Sequence, residues 1–188
     1  MKLFARFVLY ILIINRRMIM AKTLVLFYSR PGANYVSGNI VNLKKGNCLV
    51  VAEKIAALTG ADMFQVEPLK DYSADYTRCT EEAQEELRAG ARPAYKGDID
   101  ISLYDTIIVG YPIWWGTFPM PLWTFLENHD FSGKKIVPFS THEGSGLGSS
   151  VSDLKKICVG ATVTAGIAIK GSRANNCDTE IKKIVANI

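Results

Sequence analysis

The stretch "LYDTIIVGYPIWWGTFPMPLWTFLENH", residues 103–129, decides the fold. Its first ten residues form a short apolar run with the β-branched Ile107, Ile108 and Val109, stopped by Pro112. Such a run predicts a strand buried on both faces, as in a parallel sheet. From Pro121 the pattern turns helical, with proline suited to a first turn. Between strand and helix lies a loop with two adjacent tryptophans, Trp114 and Trp115, stiffened by Pro112, Pro119 and Pro121. A tryptophan ring has to be buried or to stack on something, so this loop calls for a core or a flat ligand beside it.

The same strand-then-helix unit repeats on either side. Upstream, "KTLVLFYS" (22–29) reads as a strand closed by Arg30-Pro31-Gly32. "CLVVAEKIAALTG" (48–60) reads as a helix, with Val51, Ile55 and Leu58 at helical spacing and Gly60 at its stop. "ADMFQVEP" (61–68) is a second strand and the acid-rich "DYTRCTEEAQEELRAG" (75–90) a second helix. Downstream, "KKIVPFST" (134–141) is a strand, followed by a glycine-rich loop and a helix through Ile157. "ATVTAGIAI" (161–169) is the fifth strand and "CDTEIKKIVANI" (177–188) the closing helix. Right-handed crossovers then make an open α/β fold, a parallel sheet with helices on both faces.

Sheets of this kind bind ligands beyond the carboxyl ends of their strands. Three loops lie there. After the first strand, Ser29 and Arg30 leave the sheet, Asn34 follows, and Gly46-Asn47-Cys48 enter a helix. A helix start offers unpaired N–H groups and a positive dipole end, which suit a phosphate. The G-x-x-x-x-G-K-[ST] pattern is absent, so this is no Walker A loop. After the third strand, the tryptophan loop suits a flat aromatic ring, with one tryptophan expected in the core and one on the ligand. After the fourth, "THEGSGLGSS" (141–150) offers a polar rim, and it lacks the G-x-S-x-G of a serine hydrolase. His142 and Glu143 are its candidate acid–base groups. A phosphate end, a flat ring and a polar rim together describe a mononucleotide with an aromatic head.

"VLFYSRPGANY", "KKGNCLVVAEKIA", "DTIIVGYPIWWGTFPMPLWTFLE" and "PFSTHEGSGLGSSVSDLKK" resemble a flavodoxin of the subgroup with an extended phosphate loop. The resemblance runs from about residue 21 to residue 188. It implies a flavodoxin-like three-layer sandwich with five strands in the order 2-1-3-4-5, and non-covalent FMN at the switch point. By position, it implies that Ser29, Arg30, Asn34, Asn47 and Cys48 hold the phosphate. Pro112, Ile113, Trp114, Trp115, Gly116 and Thr117 would line the isoalloxazine, and a loop carbonyl near Gly116 would meet the reduced ring. Thr141, His142, Glu143, Gly144, Ser145, Gly146 and Gly148 would line its other edge. At Cys48 family members commonly carry threonine, so one side-chain hydroxyl is missing here.

Charge and cysteines bound the rest. Of the 22 Lys and Arg, four (Lys2, Arg6, Arg16 and Arg17) lie in residues 1–19, which hold no acid; the other 18 match the 18 Asp and Glu. The net charge of +4 therefore comes from the leader, and nothing points to nucleic acid. The leader's apolar run, Phe7 to Ile14, is too short to span a bilayer and no cleavage site follows, so a start at Met20 is expected, with any membrane contact confined to residues 1–19. Residues 20–188 form the expected FMN-binding domain. Four scattered cysteines and two histidines show no metal-ligand spacing, which fits a reduced, cytoplasmic protein. The resemblance implies a low-potential carrier that serves redox partner proteins. A neutral body is unlike the strongly acidic shuttles, so an NAD(P)H-dependent FMN quinone or nitro reductase and a ligand-holding module are the rivals.

Overall fold

The computed structural model describes residues 22–188, so the expectations for residues 1–19 and the start at Met20 fall outside the described residues. Strand β1 (Thr23–Phe27) is the inner strand predicted from its apolar run, with Leu24, Val25 and Leu26 wholly buried. Its side chains alternate between faces with the period of two that a pleated strand imposes. Leu24, Leu26 and Tyr28 join one core cluster, and Val25 and Phe27 the other. Strand β7 (Thr106–Pro112) does the same, with Ile107, Val109 and Tyr111 on the first face and Ile108 on the second.

The first loop folds into a hairpin, β2 (Gly32–Val36) and β3 (Asn39–Leu43). The chain continues through α1 (Asn47–Thr59), β4 (Asp62–Gln65), β5 (Glu67–Pro68), α2 (Tyr76–Ala89) and β6 (Tyr95–Lys96). After β7 come α3 (Met120–Glu127), β8 (Lys135–His142), α4 (Ser150–Ile157), β9 (Thr162–Val163), β10 (Ile167–Lys170) and α5 (Asp178–Val185). The main sheet runs β4-β1-β7-β8-β10 and every pair in it is parallel. Counted along the chain this is the order 2-1-3-4-5.

Four features differ from the sequence reading. The sheet has six strands, because the fifth is broken: β9 pairs with the start of β8 and β10 with its end. Gly166, at φ +80°, sits in the break, and a methyl group there would lie 3.2 Å from the side chains of Leu147 and Val151. The β2–β3 hairpin stands as a separate two-stranded sheet, and β5 pairs with β6 in another. Leu58, placed on the helical stripe, is exposed, and α1 buries Cys48, Val51, Ala52 and Ile55 instead.

α1 and α5 cover one face through Val51, Ile55, Ile181 and Ile184, while α3 and α4 cover the other through Leu122, Phe125, Leu126 and Leu154. Side chains of this size each contribute about 1.5–3 kcal/mol when buried. Gly110 of β7 lies opposite Phe139 of β8, and a methyl group there would come within 2.9 Å of Cε2 of that ring. The Phe139 ring occupies the space that a side chain on β7 would need. This packing holds the carboxyl ends of β7 and β8 together, where the ligand loops begin.

Candidate functional site

Two adjoining cavities open beyond the carboxyl ends of β1, β7 and β8. One, of about 150 Å³ and the more polar of the two, is lined by Ser29, Asn47, Cys48, Thr141, His142 and Glu143 among others. Its neighbour, of about 290 Å³, is lined by Cys79, Thr80, Ala83 and Trp115. Arg30, Asn34, Tyr76, Ile113 and Trp114 line both. Together they have the few hundred Å³ typical of a cofactor site.

The polar cavity is built on the start of α1. Gly46 is its N-cap and supplies no side-chain cap. The Ser29 hydroxyl substitutes, accepting the Leu49 N–H at 3.1 Å. The N–H groups of Asn47 and Cys48, both lining the cavity, are left without an intrahelical partner by helix geometry. Gly46 is required for this close approach: a methyl group on it would lie 2.6 Å from the Arg30 carbonyl oxygen, and nearer still to Ser29 Oγ. Since Ser29 Oγ accepts from Leu49, its own hydrogen is free for a ligand. Cys48 is buried, its Sγ 3.0 Å from Thr141 Oγ1, and burial pushes its thiol up to about 12 despite that contact. It is therefore a neutral thiol in the cavity wall.

Other residues expected to hold a phosphate are engaged differently. Arg30 donates through its guanidinium to the carbonyls of Ala33 (2.5 Å), Ser73 (2.6 Å) and Ala74 (3.4 Å), so it braces the loops around the cavity. Asn34 donates its amide to the Arg30 and Gly32 carbonyls, at 3.2 and 3.0 Å.

The two tryptophans divide their roles. Trp114 is partly buried against the core, held edge-on by Tyr28 and Tyr72 with ring centroids 5.3 and 5.1 Å away, and its remaining surface lines both cavities. Trp115 is 51% exposed and donates from Nε1 to the Thr80 carbonyl at 2.8 Å. With Gly116 it forms a two-residue turn closed by Trp114 and Thr117, at φ +51° and +89°. A tryptophan in the left-handed region is strained, and such strain concentrates at ligand-clamping loops. The Gly116 carbonyl accepts the Ser149 N–H at 2.7 Å, and the Ser149 hydroxyl oxygen lies 3.2 Å from it. It is therefore already engaged within the protein.

The third loop is split. Thr141, His142 and Glu143 line the polar cavity, and Pro112 joins them. Gly116, Thr117, Gly144, Ser145, Gly146 and Gly148 line neither cavity. They shape the loops: the Ser140 hydroxyl donates to the Gly146 carbonyl, and Gly148 has no room for a side chain beside Gly116. Asp153, buried on α4, accepts from the Thr117 hydroxyl (2.9 Å) and the Ser149 hydroxyl (2.7 Å), joining the second and third loops. His142 accepts the Gly144 N–H on Nδ1 at 3.0 Å, and burial lowers its pKa, so it is a neutral imidazole that carries its hydrogen on Nε2.

Several lining residues were missed in the sequence. Tyr35 comes from the hairpin, and Tyr76, Cys79 and Thr80 from the start of α2. Gly171, just past β10, packs so tightly that a methyl group on it would lie 2.5 Å from Asn47 Nδ2. Its position after a strand's carboxyl end was the available signal.

A flavodoxin family model matches residues 40–188. The chain belongs to the flavodoxin family. No curated protein sequence matches it. Among solved structures, a protein provisionally called a flavoprotein from Bacteroides eggerthii is 29% identical, with a TM-score of 0.63, covering 85% of this chain and 97% of that one. One from Bacteroides uniformis, named the same way, is 25% identical with a TM-score of 0.65, covering 86% and 98%. A Lactobacillus acidophilus flavoprotein solved in complex with FMN is 24% identical, with a TM-score of 0.59 over 82% and 97%. FMN is the cofactor that membership of the flavodoxin family implies. The residues present fit it: a helix start with free N–H groups for the phosphate, a tryptophan wall for the ring, and a glycine that lets that helix start close on Ser29 and Arg30. Among the described residues no helix is long and apolar enough to cross a membrane, and no cluster of His, Cys, Asp or Glu could hold a metal.

Proposed function

We propose that this flavodoxin uses FMN, held at the paired cavities, as a low-potential electron carrier for protein redox partners. FMN supplies the redox chemistry when bound, and the chain supplies binding, orientation and electrostatics. The observation that carries the reading is the side-by-side placement of a helix start with free N–H groups and the Trp114 wall. Asn47 and Cys48 N–H groups and the Ser29 hydroxyl bind the phosphate, and Trp114, fixed by Tyr28 and Tyr72, sets the plane of the ring. Glu143 places a carboxylate in the cavity wall, while Arg30, the cation in the lining, directs its guanidinium hydrogens to backbone carbonyls and not into the cavity. Negative charge gained on reduction is then poorly compensated, which supports a low potential.

The exposed face of Trp115 and the neutral charge balance favour a second reading, a reductase that passes two electrons from NAD(P)H to a quinone or nitro compound. Anaerobic dithionite titration of the FMN-loaded protein, followed by visible spectroscopy, separates the two. Two resolved one-electron steps, with negligible NADPH–quinone turnover, are expected of the carrier. A single two-electron step with rapid turnover would assign the reductase, and failure to take up FMN would overturn both.

A further inference from the structure

The β2–β3 hairpin crosses the polar cavity, with Asn34 and Tyr35 of β2 among its lining. It is a separate two-stranded sheet, and such sheets are marginal by themselves. Its outer strand is poorly covered, with Ile40 52% and Val41 40% exposed. The base is secured by Arg30 to the Ala33 carbonyl and by Asn34 to Arg30 and Gly32. Its tip is the two-residue turn Ser37–Gly38, at φ +48° and +92°, which matches a tight hairpin.

That tip meets the opposite wall at one place. Glu143, at the end of β8, accepts the Ser37 N–H on Oε2 at 3.2 Å and the Ser172 N–H on Oε1 at 2.6 Å. Gly171 lies against the same carboxylate, where a methyl group would come 2.9 Å from Oε1. One side chain thus ties the hairpin tip to β8 and to the segment after β10. Both bonds are exposed but unequal in length, and the one to Ser37 is the longer. Strain on this bridge releases the hairpin first and leaves Glu143 anchored.

We propose that the hairpin is a lid over the cofactor's polar end and that Glu143 is its latch, a positioning residue that sets how fast the cofactor enters and leaves. The release arm of this inference rests on the FMN reading above; the latch itself does not. A charge-assisted bond in an exposed setting is worth enough to change opening by about three- to tenfold. The test compares the full chain with Glu143→Ala and Glu143→Gln. In ligand-free protein, amide exchange at Ser37 is expected to accelerate about three- to tenfold in E143A and less in E143Q, which keeps a neutral acceptor. Core amides of β1 and β7 should keep their protection, which separates a latch from general destabilisation. With FMN bound, its release, followed by recovery of flavin fluorescence, should accelerate by the same factor. Unchanged Ser37 exchange in E143A overturns the latch, and faster exchange with unchanged release overturns the lid. If the wild-type chain takes up no FMN, the proposed function fails, and Ser37 exchange still decides the latch.

Discussion

Gly46→Ala tests the construction of the phosphate end directly. Gly46 has φ −65° and ψ 149°, a conformation alanine adopts freely, so the substitution acts through space alone. The new methyl group would meet the Arg30 carbonyl oxygen at 2.6 Å, Arg30 N at 2.8 Å and Ser29 Oγ nearer still. Two of these are backbone atoms of Arg30, in the loop that follows β1, which cannot turn aside as a flexible side chain would. Overpacking of this kind costs about 1–3 kcal/mol. Displacing Ser29 also weakens its bond to Leu49 N–H, about 1 kcal/mol more. The expected loss is about 2–4 kcal/mol in urea unfolding of the ligand-free protein. FMN affinity, titrated by flavin fluorescence, should fall about tenfold or more, because the Asn47 and Cys48 N–H groups move with the helix start. Ser29→Ala in the same background removes one of the three clashes and should recover only part of the loss. Stability within about 0.5 kcal/mol of wild type, with FMN affinity unchanged, would refute the reasoning.

Four further outcomes follow from the contacts described. Gly110→Ala forces a methyl group into the Phe139 ring and should cost about 2–3 kcal/mol in chemical denaturation. Cys48→Thr restores a hydroxyl at the helix start and should tighten FMN binding about two- to threefold by titration, if the extra methyl group is accommodated beside Thr141; equal or weaker binding defeats this. Burial raises the thiols of Cys48 and Cys158 from about 9 to about 12, so between those values they ionise only in the unfolded chain. The unfolded state then binds fewer protons, and stability measured by urea melts should fall as pH rises above 9, by up to about 1.4 kcal/mol per unit and per thiol. Asp153→Ala leaves the Thr117 and Ser149 hydroxyls without their shared acceptor and should lower stability by about 2–3 kcal/mol, with faster amide exchange in both loops.

The sheet was legible because its central strands bury both faces: "LVLF" and "TIIVG" have no alternative but an interior position. The same logic hid the hairpin. "GANYVSGNIVNL" has no face in the core, so apolar patterning carried little signal, although Ser37-Gly38 between two short runs with Val and Ile is a turn signal. Gly166 broke the fifth strand inside a segment that read as one apolar run. At the site, Ser29, Asn47 and Trp114 were found from local chemistry and topology. Which tryptophan faces the core was not readable, because Tyr28 and Tyr72, which hold Trp114, come from distant segments. Asp153 looked like an ordinary polar position on a helix, and only the approach of Thr117 and Ser149 gives it a role. The glycine-rich stretch reads as a ligand rim; Thr141, His142 and Glu143 line the cavity, and Gly144, Gly146 and Gly148 do not.

The bonds from Thr117 and Ser149 to Asp153, and from Ser149 to the Gly116 carbonyl, also determine how the site can deform. The tryptophan loop and the glycine-rich loop are stitched to one helix and to each other, so neither can shift alone. The hairpin shares none of these stitches. The site is a vice with one fixed jaw and one sprung jaw. On the proposed reading, the motion that admits a cofactor belongs to the sprung side, while the tryptophan loop keeps one geometry whether the site is filled or empty.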